Sequence, residues 1–286
     1  MIIGIAGLGL IGGSIAKATK KFTRHKVFGY DTSSETITAA FSDGSIDTEL
    51  NESNAAQCDI IIVALYPEAT LGYIKKIAPY VKKGAIITDV CGIKRNICKH
   101  AGIFADNNGL TFIGGHPMAG TERSGYPNSS AELFKGASML LALSKEIQAE
   151  KLETLKAFYK DLGFSAIVIT TPDEHDSMIA YTSQLAHITS CSYIDNPKAM
   201  KHKGFSAGSY QDMTRVARIN ADMWTELFLD NRDNLIHDID NLINNLSQFR
   251  NALDTGNDDK LRSLLSRSND IKSLIEGADS NEKING

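Results

Sequence analysis

Between residue 2 and about residue 170, short and nearly continuous apolar runs alternate with longer segments whose apolar positions recur at helical spacing. No other feature restricts the fold as much. The runs fall at 2–6, 27–30, 60–65, 85–88, 110–113, 139–143 and 166–169, and are rich in Ile, Val and Leu. A strand wet on one face alternates apolar with polar residues, so unbroken runs predict strands covered on both faces by the intervening helices. The result is an α/β domain with a mostly parallel sheet, and ligands of such sheets sit outside the carboxyl ends of the strands.

After residue 170 the alternation stops. Thr171-Pro172-Asp173-Glu174 places a hydroxyl at an N-cap, proline at the first helical position and glutamate three residues after the threonine, so a helix is predicted to begin there and run to about 194. Trp224, Leu227, Phe228, Leu235, Ile239, Leu242, Leu246, Phe249 and Leu253 recur mostly at spacings of three, four or seven. They predict one helix over 224–253, reaching ~45 Å, which must pack on something large. Both a core within the domain and a subunit interface suit such a stripe. A further surface helix is expected around Leu261, Leu264 and Leu265. The reading is an N-terminal α/β domain over 1–171 and an all-α domain over 172–286 that joins two copies into a homodimer.

The 286 residues suit two domains, and 42% hydrophobic with 22% charged residues is an ordinary globular balance. A net charge of −4 gives no general attraction for nucleic acid or anionic membrane. No apolar run approaches the ~20 residues of a membrane span, and the first residues enter a strand directly, so a cytoplasmic location is expected. Cys58, Cys91, Cys98 and Cys191 lack the paired spacing of a zinc site and are expected to be reduced thiols, with no metal.

The first strand runs straight into Gly7-Leu8-Gly9-Leu10-Ile11-Gly12-Gly13-Ser14. At that position the first glycine permits a tight turn, the second lets a pyrophosphate approach the backbone, and the third lets helix pack closely on strand. The helix start then offers its amides to the phosphates. Asp31 stands nineteen residues past Gly12, at the end of the second strand, where a carboxylate accepts bonds from ribose hydroxyls. It would repel a 2′-phosphate, and Thr32, Ser33 and Ser34 supply no arginine to relieve that. The domain is therefore expected to be Rossmann-type and to bind NAD through Gly7, Leu8, Gly9, Leu10, Ile11, Gly12 and Asp31.

A second stretch, Gly114-Gly115-His116-Pro117-Met118-Ala119-Gly120-Thr121-Glu122, hangs one histidine off the end of the fifth apolar run. An imidazole at the ligand edge of such a sheet is placed as a general base. This stretch, with residues 7–14, Thr88-Asp89-Val90-Cys91-Gly92-Ile93-Lys94, Asp212-Met213-Thr214-Arg215 and Trp224, resembles the prephenate dehydrogenase family over nearly the whole chain. The resemblance implies NAD-dependent oxidation of the ring carbinol of prephenate with loss of the ring carboxylate, giving 4-hydroxyphenylpyruvate in tyrosine biosynthesis, or the same chemistry on arogenate.

It further implies His116 as the catalytic base, Arg215 as the cation that positions the ring carboxylate, Glu122 as its neighbour, and His187, Trp224 and Thr121 around the substrate. His175 reads as structural. The family commonly carries a serine where this chain has Gly92, and a water, Ser124 or Thr121 is the expected replacement for its hydroxyl. Tyrosine shares the product's phenol and side-chain carboxylate, so any inhibition by it is expected at the substrate site, this chain having no room for a regulatory domain. A 3-hydroxyacid dehydrogenase and a non-catalytic NAD-binding module are the alternatives.

Overall fold

A computed structural model describes residues 1–121 and 123–285, with side chains through 278. Each expected apolar run is a strand: β1 (Ile2–Ala6), β2 (Lys26–Tyr30), β4 (Ile60–Val63), β5 (Ile86–Asp89), β6 (Thr111–Pro117), β7 (Ser138–Ala142) and β8 (Ala166–Thr170). A two-residue β3, Thr48–Glu49, joins them without an apolar signal. Among the described residues the sheet order is β3-β2-β1-β4-β5-β6-β7-β8, and only the β6–β7 pairing is antiparallel. The six strands β3 to β6 follow the doubly wound order whose switch point lies beside β1, where a ligand crevice opens.

Burial explains the unbroken apolar runs. Ile3, Ile5, Ile60, Ile62 and Ile86 enter one core, while Ala6, Ile61, Val63 and Ile87 on the opposite face enter another. The helices of this part are α1 (Leu10–Phe22), α2 (Ser34–Ser42), α3 (Pro67–Ile77), α4 (Arg95–Asn107) and α5 (Ala149–Asp161). The expected α/β fold class with a helical C-terminal region is what the chain adopts.

Thr171 caps α6 (Pro172–Ile179) by accepting from the Glu174 amide, as its sequence requires. A π turn, Ala180–Gln184, then leads into α7 (Leu185–Ile194). Next come α8 (Gly208–Thr214) and α9 (Ala221–Asp230). The single long helix expected over 224–253 is in fact two, α9 and α10 (Arg232–Asp254), broken at Asn231. Asn231 is completely buried, and its amide donates to the Asp176 carbonyl at 2.8 Å and to Gln184 Oε1 at 2.9 Å. Those tertiary bonds outweigh helix continuation at a residue of modest helix propensity. The last helix is α11 (Asp258–Asn285). Compactness divides the chain into Met1–Leu235 and Ile236–Gly286, so the helices through α9 belong with the sheet. Among the described residues no helix is long and apolar enough to cross a membrane.

Candidate active site

The glycine loop leaves β1 at the switch point and starts α1 with Gly9 at the N-cap. A Cβ on Gly12 would lie 1.8 Å from the Gly7 carbonyl oxygen, so loop and helix touch through bare backbone. A Cβ on Gly9 would meet nothing within 4 Å. The loop is thus closed on the protein side and open on the other. No side chain caps the amides of α1 and no acidic residue sits in its first turn, which leaves its positive end available to an anion. The Asp31 carboxylate accepts from the Leu8 amide at 2.8 Å and the Ser33 amide at 2.9 Å, one to each oxygen. Each oxygen keeps a lone pair for a hydroxyl. Gly9, Leu10 and Ile11 are half-buried, whereas Leu8 is buried in the core and takes part only through its main chain. These residues fit a dinucleotide.

His116 stands near the end of β6, on the same edge of the sheet. Gly115 before it has no room for a side chain, because a Cβ there would lie 2.5 Å from the Asp89 carbonyl oxygen. The Gly115 amide donates to Asp89 Oδ1 at 3.1 Å, so the end of β6 is tied to the end of β5. Asp89 in turn is paired with Lys94 Nζ at 2.6 Å, and neither is exposed at all. The Lys94 ammonium spends its other donors on the carbonyls of Cys91 and Ile93, both at 2.8 Å. All three protons are used, so Lys94 serves as a staple for the loop between β5 and α4.

The half-buried His116 ring meets a second histidine. Its Nδ1 lies 2.9 Å from Nε2 of His175, whose own Nδ1 lies 2.7 Å from Asp176 Oδ1. Asp176 also accepts from the Lys94 amide at 2.7 Å and the Arg95 amide at 2.8 Å. Burial, then the Lys94 ammonium and His175, hold the His116 imidazole well below its usual range. Burial alone would raise the Asp176 carboxyl, but the donors from His175, Arg95 and Lys94 reverse this and hold it low. His175 was expected to be structural. Its ring instead bridges His116 to a buried carboxylate, and with Asp176 and Lys94 it is what residue-by-residue reasoning missed. The available signal was a His-Asp pair near the start of a capped helix directly after the last strand.

Beside this network lies an aromatic cluster. His187 on α7 has Nδ1 2.8 Å from the Val216 carbonyl, and its ring lies against Trp224 at a centroid separation of 4.0 Å. The charge of the adjacent Arg215 helps to lower the His187 imidazole, after burial. Twelve residues separate His175 from His187, which on a regular helix at about 100° per residue would turn them roughly 120° apart. The residue absorbed by the π turn between them brings this to about 20°, so both histidines share a face. Trp224 and Leu227 lie one turn apart on α9, and a Cβ at Gly92 would be 3.5 Å from Leu227 and 3.9 Å from His116 Cε1. The helix therefore carries Trp224, and the His187 ring against it, one turn from Leu227, which lies beside position 92 near His116.

Thr121 is exposed, with its hydroxyl donating to the Arg123 carbonyl, and is not a partner of His116. Among the described residues Ser124 makes no bond to His116 either; its carbonyl accepts from Asn128. Glu122 lies outside the described residues.

Residues 15–177 match the family model described as prephenate dehydrogenase, nucleotide-binding domain, and residues 171–267 match prephenate dehydrogenase, dimerization domain. The prephenate dehydrogenase of Bacillus subtilis is 31% identical over 255 residues, covering 86% of this chain and 68% of the relative. The cyclohexadienyl dehydrogenase of Zymomonas mobilis is 28% identical over 269 residues, covering 91% and 90%. Among solved structures, the prephenate dehydrogenase of Aquifex aeolicus in complex with hydroxyphenyl propionate and NAD+ superposes with a TM-score of 0.86 at 25% identity, covering 96% of this chain and 98% of that one. A sheet with the doubly wound strand order, a dinucleotide cradle at its switch point and a histidine on the same edge accord with these matches, and the chain belongs to the prephenate dehydrogenase family.

Proposed function

We propose that the chain oxidatively decarboxylates prephenate to 4-hydroxyphenylpyruvate in tyrosine biosynthesis, with arogenate, which carries an amino group in place of the keto group, as the second substrate to be compared. The observation that carries this reading is His116 on the sheet edge that also holds the glycine loop, with Nδ1 bound by His175 and Nε2 without a partner among the described residues. The main chain of residues 7–12 and the Asp31 carboxylate would hold NAD, which when bound would accept the hydride from the carbinol carbon. His116 takes the proton of the ring hydroxyl at Nε2, and that removal weakens the carbinol C–H bond. Arg215 positions the ring carboxylate; too tight a grip would oppose loss of carbon dioxide. His187 and Trp224 wall the side-chain end, with Thr121 as a further substrate contact and Glu122 as the neighbour that orients Arg215.

The match to a dimerization domain supports a homodimer formed through the helical part, with 1–171 and 172–286 as the functional division. Competitive inhibition by tyrosine and a cytoplasmic setting belong to the same proposal. The test is NADH formation with prephenate and with arogenate, compared in wild type and His116→Asn. Loss of kcat by about 10²–10⁴-fold with NAD affinity unchanged is expected. Substantial activity in His116→Asn would reject His116 as the base.

A further inference from the structure

We propose that His175 and Asp176 are positioning residues that fix the proton of His116 on Nδ1 and so keep Nε2 bare for the substrate, in place of any hydroxyl at position 92. The proposal rests on His116 being the base. It follows from counting donors along one chain of hydrogen bonds. Asp176 receives the Lys94 amide on Oδ1 and the Arg95 amide on Oδ2, at 2.7 and 2.8 Å, and so is an acceptor on both oxygens. The His175 nitrogen 2.7 Å from Oδ1 must therefore be an N–H. A neutral imidazole has only one, so His175 Nε2 is a lone pair. That lone pair lies 2.9 Å from His116 Nδ1, which must carry the hydrogen between them. The single proton of neutral His116 is then spoken for. Nε2 is left bare.

Neutrality of both rings is supported by their burial and by Lys94, whose ammonium disfavours a second proton on either. The surroundings hold the chain still. His175 and Asp176 sit near the start of a capped helix, and Asn231 binds the Asp176 carbonyl from the α9–α10 break. Position 92 is open to a side chain, since an added Cβ would meet only ordinary contacts, yet it carries no hydroxyl. When the substrate hydroxyl gives its proton to Nε2, one O–H bond breaks and one N–H bond forms. The new positive charge on His116 then donates through Nδ1 to His175, which already donates to the Asp176 carboxylate. No further proton moves along the His116–His175–Asp176 chain.

The test combines spectroscopy and kinetics on the full chain. In ¹⁵N-histidine-labelled wild type at neutral pH, the His116 signals should show a protonated Nδ1 and an unprotonated Nε2. His175→Leu should lower kcat roughly 10–10²-fold, the usual loss for an outer orienting group, with KM and NAD affinity within about twofold. His175→Gln, whose Oε1 can accept the same N–H, should recover most of that loss. A protonated Nε2 in wild type would overturn the assignment whether or not the variants fold. So would equal losses in the leucine and glutamine variants, or an effect confined to KM. If wild type turns over neither prephenate nor arogenate while Nδ1 is protonated, the functional reading fails and the tautomer assignment stands.

Discussion

Replacing Lys94 by methionine keeps an unbranched side chain one atom shorter and removes a fully buried cation. Wild-type Lys94 and Asp89 are both completely buried, 2.6 Å apart. Without the ammonium, Asp89 keeps only the amides of Cys91, at 2.8 Å, and Gly115, at 3.1 Å, and two carbonyls lose their donor. Breaking one side of a buried pair costs about 3–5 kcal/mol, mostly the penalty of the orphaned charge. For a cooperative unit of this size each kcal/mol moves Tm by about 2–4 °C, so a fall of roughly 6–20 °C is expected. Thermal unfolding followed by circular dichroism measures it, and adding Asp89→Asn to Lys94→Met should recover part of the loss. The pH dependence has a definite sign. Burial alone would lower the Lys94 ammonium, but Asp89 beside it holds it above its ordinary value. A raised lysine contributes fully below its unfolded value of about 10.4 and loses its contribution only as pH rises through the folded value. The gap between wild type and variant should therefore be equal at about pH 6 and pH 8. A Tm within about 2 °C of wild type would refute the reasoning.

Asp31→Asn removes the charge that faces a 2′-phosphate and should shift the ratio of kcat/KM for NAD and NADP toward NADP by about tenfold; an unchanged ratio would count against Asp31 as the selectivity residue. Because burial, Lys94 and His175 hold the His116 imidazole low, kcat/KM should stay flat through neutrality and fall only below pH 6.5, by about tenfold per pH unit once the acid limb is reached. The same depression means that the folded state resists protonation, so His116 should contribute a loss of stability as pH drops below 6.5, measurable by urea unfolding. Asn231→Ala leaves Gln184 Oε1 without its donor in a buried setting and strips the Asp176 carbonyl of one of its two donors, the Ala180 amide remaining, and should cost about 1–3 kcal/mol in the same assay.

Much of this protein could be read locally. The unbroken apolar runs locate seven strands because a residue covered on both sheet faces has no polar option, and β3, with only Thr48 and Glu49, escapes for lack of that pressure. The glycine loop is legible because its constraint lies within a few residues: Gly12 meets the carbonyl of Gly7. His116 is legible from the strand it ends. The break at Asn231 is not, since the apolar stripe passes through it and only contacts with Asp176 and Gln184 reward the interruption.

The amino-acid sequence by itself therefore determined the layered architecture, the dinucleotide cradle and the place of His116 at the end of its strand, each encoded by neighbours in the chain. Tertiary structure alone decided what holds His116. His175 reaches His116 across 59 residues and Asp176 reaches the Lys94 amide across 82. Such bonds form only after strand, loop and helix have packed, and short-range pattern carries no trace of which donors and acceptors that packing will bring within reach.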